Sequence, residues 1–367
     1  MTDEESGDSA FMQRALLLAE RGIGLVEPNP IVGCVVVRDG QVIGEGWHQR
    51  FGTAHAEVNA LADAGNTIGA TVYVTLEPCC HTGKTPPCTQ ALIEAKVQRV
   101  VVGTLDPSDK VAGKGVQQLR ESGIDVTVGV CESKSRRIIA PFRMLMLHHR
   151  PWLIAKWAMT LDGKLATASK DSRWISNSRS REIVHQIRGR VDAIMIGSGT
   201  AAADDPLLTA RPAGPRIATR VVVDSLGSIS ESSQLVRTCR DIPVLIAVGP
   251  EAPADKISRL ASAGCEVLVC DAADRNERLS QLFVELGRRE MTNVLCEGGS
   301  QLFGSLFDQQ MVDEVHAFIA PKLVGGESAI SPFGGIGCSD MSASRRLVDL
   351  HTSFVDEDVY VRGTVQY

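Results

Sequence analysis

The chain has 367 residues, 44% hydrophobic and 22% charged, a length for two or three domains with ample apolar surface and no disordered character. Its net charge is −6 with no block of like charges, which argues against nonspecific nucleic-acid binding. The ten cysteines are scattered, so they read as reduced thiols of a cytoplasmic protein, some of them metal-bound; no run of about 18 apolar residues is present to span a membrane, and the acidic start of the chain does not read as a signal peptide.

In chain order, residues 9–21 read as an amphipathic helix with Ser9 as N-cap and Gly22 just past its end. Residues 31–38 and 41–47 flank Asp39-Gly40, a strong hairpin signal. A helix is predicted over 55–64, a strand over 71–76, a helix over 88–96 and a strand over 100–103. A helix over 115–121 and a strand over 125–129 repeat the alternation, giving an α/β layer domain with a mixed sheet. Residues 132–147 read as a long helix, interrupted or bent at Pro141, and His148-His149-Arg150-Pro151 breaks the pattern as a linker. The expected domains are therefore 1–148 and 149–367. The second restarts with a strand over 152–159. Further strands are expected over 193–196, 221–223, 244–248, 267–269, 294–296, 315–319 and 359–364, with helices over 179–188, 254–263, 277–289 and 301–307.

His55-Ala56-Glu57, then Pro78-Cys79 and Cys88, carries the most chemistry. One imidazole and two thiols leave the fourth position of a tetrahedral Zn²⁺ open to water, and Glu57 is placed to move protons. This is the H-x-E…P-C arrangement of nucleobase deaminases, except that eight residues separate Cys79 from Cys88 where the generic signature has two. Cys80 and His81 stay open as alternative ligands. In the second half, Gly197-Ser198-Gly199-Thr200-Ala201-Ala202 followed by Asp224 fits a dinucleotide fingerprint. That reading is rejected, because Asp204-Asp205-Pro206 stops the helix within two turns. Glu297-Gly298-Gly299-Ser300 is a second glycine turn, whose N–H groups suit a phosphate.

Pro28-Asn29-Pro30-Ile31-Val32-Gly33, His55-Ala56-Glu57 and the stretch from Pro78 to Cys88 together resemble the deaminase half of the bifunctional riboflavin-biosynthesis deaminase/reductase family, in which the wide cysteine spacing is a hallmark. Lys156-Trp157-Ala158-Met159-Thr160-Leu161-Asp162-Gly163-Lys164, Trp174-Ile175-Ser176, the stretch from Gly199 to Arg211, Val223-Asp224-Ser225 and Glu297-Gly298-Gly299 resemble its reductase half, in order. The resemblance implies a cytidine-deaminase-like α/β/α layer domain followed by a dihydrofolate-reductase-like α/β domain. It implies zinc on His55, Cys79 and Cys88 with Glu57 catalytic, and a diaminopyrimidinone ribosylamino phosphate touching Asn29, His81 and Lys84. It implies NADPH along Ala158, Trp174, Thr200, Asp204, Ser225, Gly299, Ser300, Gln301, Leu302, Phe303, Gly304 and Ser305, with substrate at Ser172, Arg188, Leu208, Arg211 and Glu297. Hydride would pass to C1′ of the ribosyl group, with Lys156, Asp204 and Glu297 as candidate proton donors. The family usually shows Asp-Pro-Asn-Pro where this chain has Asp106-Pro107-Ser108-Asp109. The partners expected are a free pyrimidine ribotide and further copies of the chain as a dimer or tetramer, with neither nucleic acid nor membrane. Two other readings compete: a polynucleotide base deaminase with an unrelated tail, and a structural zinc module fused to a nucleotide-sensing domain. The open metal position beside Glu57 disfavours the latter.

Overall fold

The computed structural model describes residues 3–81, 86–108 and 111–367. The chain divides into two compact units, Met1–His149 and Arg150–Tyr367.

The first unit holds a five-stranded sheet of β1 (Gly33–Arg38), β2 (Gln41–Trp47), β3 (Thr71–Leu76), β4 (Arg99–Thr104) and β5 (Asp125–Val128), in the order β2-β1-β3-β4-β5. Asp39 and Gly40 both have positive φ, 54° and 73°. That twist suits a tight hairpin and sets β1 antiparallel to β2. Strands β3, β4 and β5 run parallel, so helices Cys88–Glu94 and Lys114–Glu121 must cross over between them. These two helices and Ala56–Ala64 cover one face of the sheet through Val72, Val74, Val100 and Val102. Helix Asp3–Ala19 covers the other, over Tyr73 and Val101, giving the expected α/β/α layering.

Two glycines set how close helix Ala56–Ala64 comes to β2. A Cβ at Gly46 would stand 2.4 Å from the Ala56 carbonyl oxygen and the Ala60 nitrogen, and one at Gly44 would stand 2.5 Å from the Ala60 oxygen. The helix that carries Glu57 thus rests on bare backbone.

One expectation is corrected and one alternative is settled. The first helix includes Asp3, so Ser9 lies inside it and does not cap it, and a 3₁₀ turn, Glu20–Gly22, follows Ala19. The helix is tied to the sheet through Asp8, which accepts from Tyr73 Oη at 2.7 Å and pairs with Arg99 at 2.7 Å. Residues 132–147 form two helices, Glu132–Ile138 and Ala140–His148, so the stretch is interrupted just before Pro141 and not bent. Pro141 sits in the first turn of the second, where its missing N–H costs no hydrogen bond.

The second unit holds nine strands: β6 (Trp152–Thr160), β7 (Ala193–Gly197), β8 (Thr219–Val223), β9 (Val244–Val248), β10 (Glu266–Val269), β11 (Asn293–Cys296), β12 (Glu314–Ala320), β13 (Arg346–Val355) and β14 (Asp358–Gln366). Their order is β10-β9-β8-β7-β11-β6-β12-β14-β13, parallel from β10 to β12 and antiparallel beyond. This is the dihydrofolate-reductase-like architecture. Strand β13 was not expected; it lies at the sheet edge, exposed on both faces for most of its length. A strand with no buried face carries no hydrophobic alternation.

The glycine turns leave the carboxyl ends of neighbouring strands β7 and β11. A Cβ at Gly298 would lie 2.8 Å from the Gly197 nitrogen and Ile196 Cα, so the two turns press backbone to backbone. Helix Ser198–Asp204 has only seven residues, in line with the rejected dinucleotide fingerprint. The Asp224 carboxylate is buried and accepts from Ser228 Oγ at 2.8 Å and the Ile229 N–H at 2.7 Å.

Candidate active sites

In the first unit, His55 is the extended N-cap of helix Ala56–Ala64, and Cys88 is the first residue of helix Cys88–Glu94. Cys79 follows β3, and its carbonyl accepts from the Thr89 N–H at 3.2 Å. His55 Nδ1 lies 3.2 Å from Cys88 Sγ and 3.6 Å from Cys79 Sγ. All three ligand atoms lie within 4.8 Å of one another, and no other such group occurs among the described residues. Bonds of about 2.0–2.3 Å to a tetrahedral zinc hold its ligands roughly 3.5 Å apart, so the donor set fits that ion. Cys80 and His81 lie outside the cluster.

The electrostatics suit a cation. Hydrogen bonding from the Cys88 thiol, then from His55, holds Cys79 well below the usual thiol range, and the Cys88 N–H donates to Cys79 Sγ at 3.4 Å. Both helix N-termini add positive potential. Glu57, in the first turn, is only 3% exposed. Burial, then the Cys79 thiolate, pushes its carboxyl up to about 7.

Asn29 Nδ2 lies 3.2 Å from His48 Nε2, and the buried His48 ring meets His55 edge-on at 5.3 Å, so Asn29 stands beside the metal ligands through His48. His81 is exposed and close enough to Asp106 to act on its charge. Lys84 and Asp109 lie outside the described residues.

Sequence reasoning missed Glu77. Its buried carboxylate accepts three backbone N–H groups: Asp106 at 3.2 Å, Gly113 at 2.9 Å and Val116 at 3.1 Å. One side chain thus fixes both ends of the loop beside the site. Burial pushes Asp106 in that loop up to about 6. A Glu-Pro-Cys run draws attention to the cysteine, and nothing local marks the glutamate's distant partners.

In the second unit, Glu297 leaves β11 and meets Arg188, the last residue of helix Ser178–Arg188, in a fork: Nε to Oε1 at 2.5 Å and Nη2 to Oε2 at 2.9 Å. Lys156 Nζ lies 3.8 Å from Glu297 Oε2. Burial works against the Glu297 charge, but Arg188, then Lys156, more than offset it and hold the carboxyl at about 2. Arg188 also donates to the Thr209 carbonyl at 3.2 Å, and Arg211 donates to Thr209 Oγ1 at 2.9 Å. Arg188, Glu297 and Arg211 therefore share one neighbourhood, with Leu208 on the intervening chain. The Leu208 side chain is buried in the core, and its backbone is left-handed at φ 52°. Ser172 is half-buried, with no contact to this group among the described residues.

Of the residues expected along NADPH, Trp174 is 65% exposed and so is no core residue; the Arg181 guanidinium stacks 4.6 Å from its ring, and Lys322 donates to its carbonyl at 2.6 Å. Thr200 faces the Gly299 turn, where a Cβ would come within 3.0 Å of Thr200 Oγ1. The Asp204 carbonyl accepts from Arg173 at 3.0 Å. Ser300 opens helix Ser300–Asp308, with Gln301 beside it and Ser305 further along. Leu302 and Phe303 are buried in the core, and Gly304 lies against the backbone of Gly334 and Gly335. Ala158 is half-buried on β6, and Ser225 stands just past β8.

These two folds and the His-Cys-Cys-Glu cluster define a zinc deaminase domain joined to a pyridine-nucleotide reductase domain. Residues 5–104 match the family described as the cytidine and deoxycytidylate deaminase zinc-binding region, and residues 151–361 match the RibD C-terminal domain. The chain is 39% identical to the riboflavin biosynthesis protein RibD of Actinobacillus pleuropneumoniae, over 96% of this chain and 94% of that one. It is 40% identical to RibD of Synechocystis sp., over 97% and 96%. The solved structure of Acinetobacter baumannii RibD superposes with a TM-score of 0.84 at 35% identity, covering 99% of this chain and all of that one. A Thermotoga maritima structure described as a diaminohydroxyphosphoribosylaminopyrimidine deaminase/5-amino-6-(5-phosphoribosylamino)uracil reductase matches with the same score at 34% identity and the same coverage. The chain belongs to the RibD family and is a bifunctional deaminase and reductase of riboflavin biosynthesis.

Proposed function

We propose that the first unit hydrolytically deaminates 2,5-diamino-6-(5-phosphoribosylamino)pyrimidin-4(3H)-one and that the second reduces the ribosyl chain of the product with NADPH, giving 5-amino-6-(5-phosphoribitylamino)uracil. The observation that carries the first half is the convergence of His55, Cys79 and Cys88 with the buried Glu57 one turn away. A zinc ion held by those three residues would supply Lewis-acid activation of water. Glu57 takes a proton from the attacking water and returns protons to the ring nitrogen and the departing amine, which leaves as ammonia. Asn29, His81 and Lys84 hold the substrate, Lys84 on its phosphate.

For the second half, bound NADPH supplies the hydride. Trp174, Thr200 and the Gly299 turn hold the dinucleotide, and Arg211 holds the sugar phosphate while Arg188 holds Glu297. Hydride addition at C1′ of the open-chain form would leave one proton for the chain to deliver to complete the ribityl group. Glu297, held at about 2, is ionised at neutral pH and has no proton to give, which favours the neighbouring Lys156.

Incubating the purified chain with the diaminopyrimidinone phosphate should release ammonia without NADPH and oxidise NADPH when it is added. Ammonia release with no NADPH loss would sink the second half of the reading.

The net charge of −6 fits a free ribotide better than a polynucleotide, and the reduced cysteines fit the cytoplasm. No helix among the described residues is long and apolar enough to cross a membrane. A homodimer through the β13 edge is supported by its unpaired backbone and by Leu350 and Phe354, exposed at 60% and 82%. Phe354→Glu should convert the dimer to a monomer in sedimentation velocity; a wild-type chain that sediments as a monomer would remove this interface.

A further inference from the structure

Helix Ser178–Arg188 carries His185 one turn before Arg188. The ring is half-buried, and its Nδ1 lies 3.1 Å from the Thr209 carbonyl oxygen. Arg188 donates to that same oxygen at 3.2 Å, and Arg211 donates to the Thr209 hydroxyl at 2.9 Å. Thr209 thus gathers an imidazole and two guanidinium groups.

The bond to Thr209 fixes the tautomer. A carbonyl oxygen only accepts, so Nδ1 carries the hydrogen. In the neutral ring Nε2 is then a bare acceptor; in the protonated ring it is a second donor. Nε2 has no partner among the described residues.

The charges around the ring do not balance. Arg188, on the same helix, and Lys156, on β6, share the Glu297 carboxylate. Arg211, on the loop that holds Leu208, has no acid of its own among the described residues. Such a surplus of positive charge draws an anion. Burial, then Arg188 and Arg211, lower the pKa of His185 against the opposing pull of the Thr209 carbonyl and Glu297, so the ring is neutral while the site is empty. A phosphate monoester carries close to two negative charges above its second pKa of about 6. Set against Arg211, it reverses the local balance and favours the protonated ring.

We propose that His185 is a substrate-binding residue of the reductase, its Nε2–H donating to the phosphate that Arg211 holds. This rests on the ribotide reading above. Binding then takes up a proton, because His185 is charged only with the phosphate in place. Its contribution is present below the pKa that the ring has in the complex and is lost as the pH rises through it.

NADPH oxidation by the full chain, followed with 5-amino-6-(5-phosphoribosylamino)uracil and with the same compound lacking its phosphate, tests this. His185→Asn keeps an amide donor near the position of Nδ1 and has nothing at Nε2. At about pH 7 it should raise KM for the ribotide about tenfold, the effect of losing one charge-assisted hydrogen bond. The values of kcat, KM for NADPH and KM for the riboside should stay within about twofold. The gap between variant and wild type should close by about pH 9, where the wild-type ring has lost its proton. An unchanged ribotide KM, an equal rise for the riboside or for NADPH, or a gap that persists at the higher pH overturns the proposal. A wild-type chain with one KM for ribotide and riboside overturns the phosphate role of Arg211, and one that oxidises no NADPH with either overturns the ribotide reading itself; each is a distinct result.

Discussion

Glu57→Gln is expected to lower deamination by about a thousandfold, within the range general acid–base groups contribute, while zinc content and NADPH-dependent reduction stay at wild-type levels. The amide keeps the shape of the side chain but cannot take and return a proton. His55, Cys79 and Cys88 are untouched, so metal analysis should still find one zinc per chain. Ammonia release from the substrate and zinc by atomic absorption, on the same preparation, check the two halves of this expectation. Deamination persisting in the variant would assign the proton transfers elsewhere; loss of zinc would make Glu57 a support of the metal site.

The second large effect belongs to Arg188. Arg188→Ala leaves the buried Glu297 side chain with Lys156, 3.8 Å away, as its main counter-charge. Removing one partner of a buried pair typically costs about 3–5 kcal/mol. Three of the four tryptophans, Trp152, Trp157 and Trp174, lie in the second unit, so urea unfolding followed by fluorescence reports on it. Reduction should be lost as well. The double variant Arg188→Met with Glu297→Gln should recover much of the stability and none of the reduction; recovery of both would make the pair purely structural. The pair also sets an acid limit. Glu297 has an ordinary value of 4.5 and is held at about 2 in the fold. Its contribution, on the order of 3 kcal/mol, is present in full above about pH 4.5 and drains away as the pH falls toward 2. The wild type should lose stability across that window more steeply than the double variant.

The metal ligands were legible because zinc chemistry demands particular residue types at short spacings, and His55, Glu57, Cys79 and Cys88 carry that demand in the sequence itself. The interior parallel strands β4, β7, β9 and β11 were legible because they are buried on both faces and read as apolar runs. Strand β13, solvated on both faces, left no such trace. Asp8 drew the first helix further toward the start of the chain through a salt bridge to Arg99, 91 residues away, which no local pattern can announce. Lys156, Arg188 and Glu297 were each singled out, yet their assembly depends on three elements meeting. Glu77 was missed for the same reason, since its partners come from backbone amides of a later loop.

Glu77 also bears on the loop that holds Asp106-Pro107-Ser108-Asp109. The loop after β4 is gripped at the amides of Asp106, Gly113 and Val116, atoms that every non-proline residue possesses. Its two ends are therefore held from outside, by a carboxylate 29 residues upstream of the first contact. Inside it, the Asp106 carboxylate accepts from the Ser108 N–H at 2.7 Å, a bond that asks only for a backbone amide at 108. Ser108 can therefore stand where Asn is customary with these bonds kept. That makes position 108 the natural one to rewrite when the deaminase is to be retuned for a different amine.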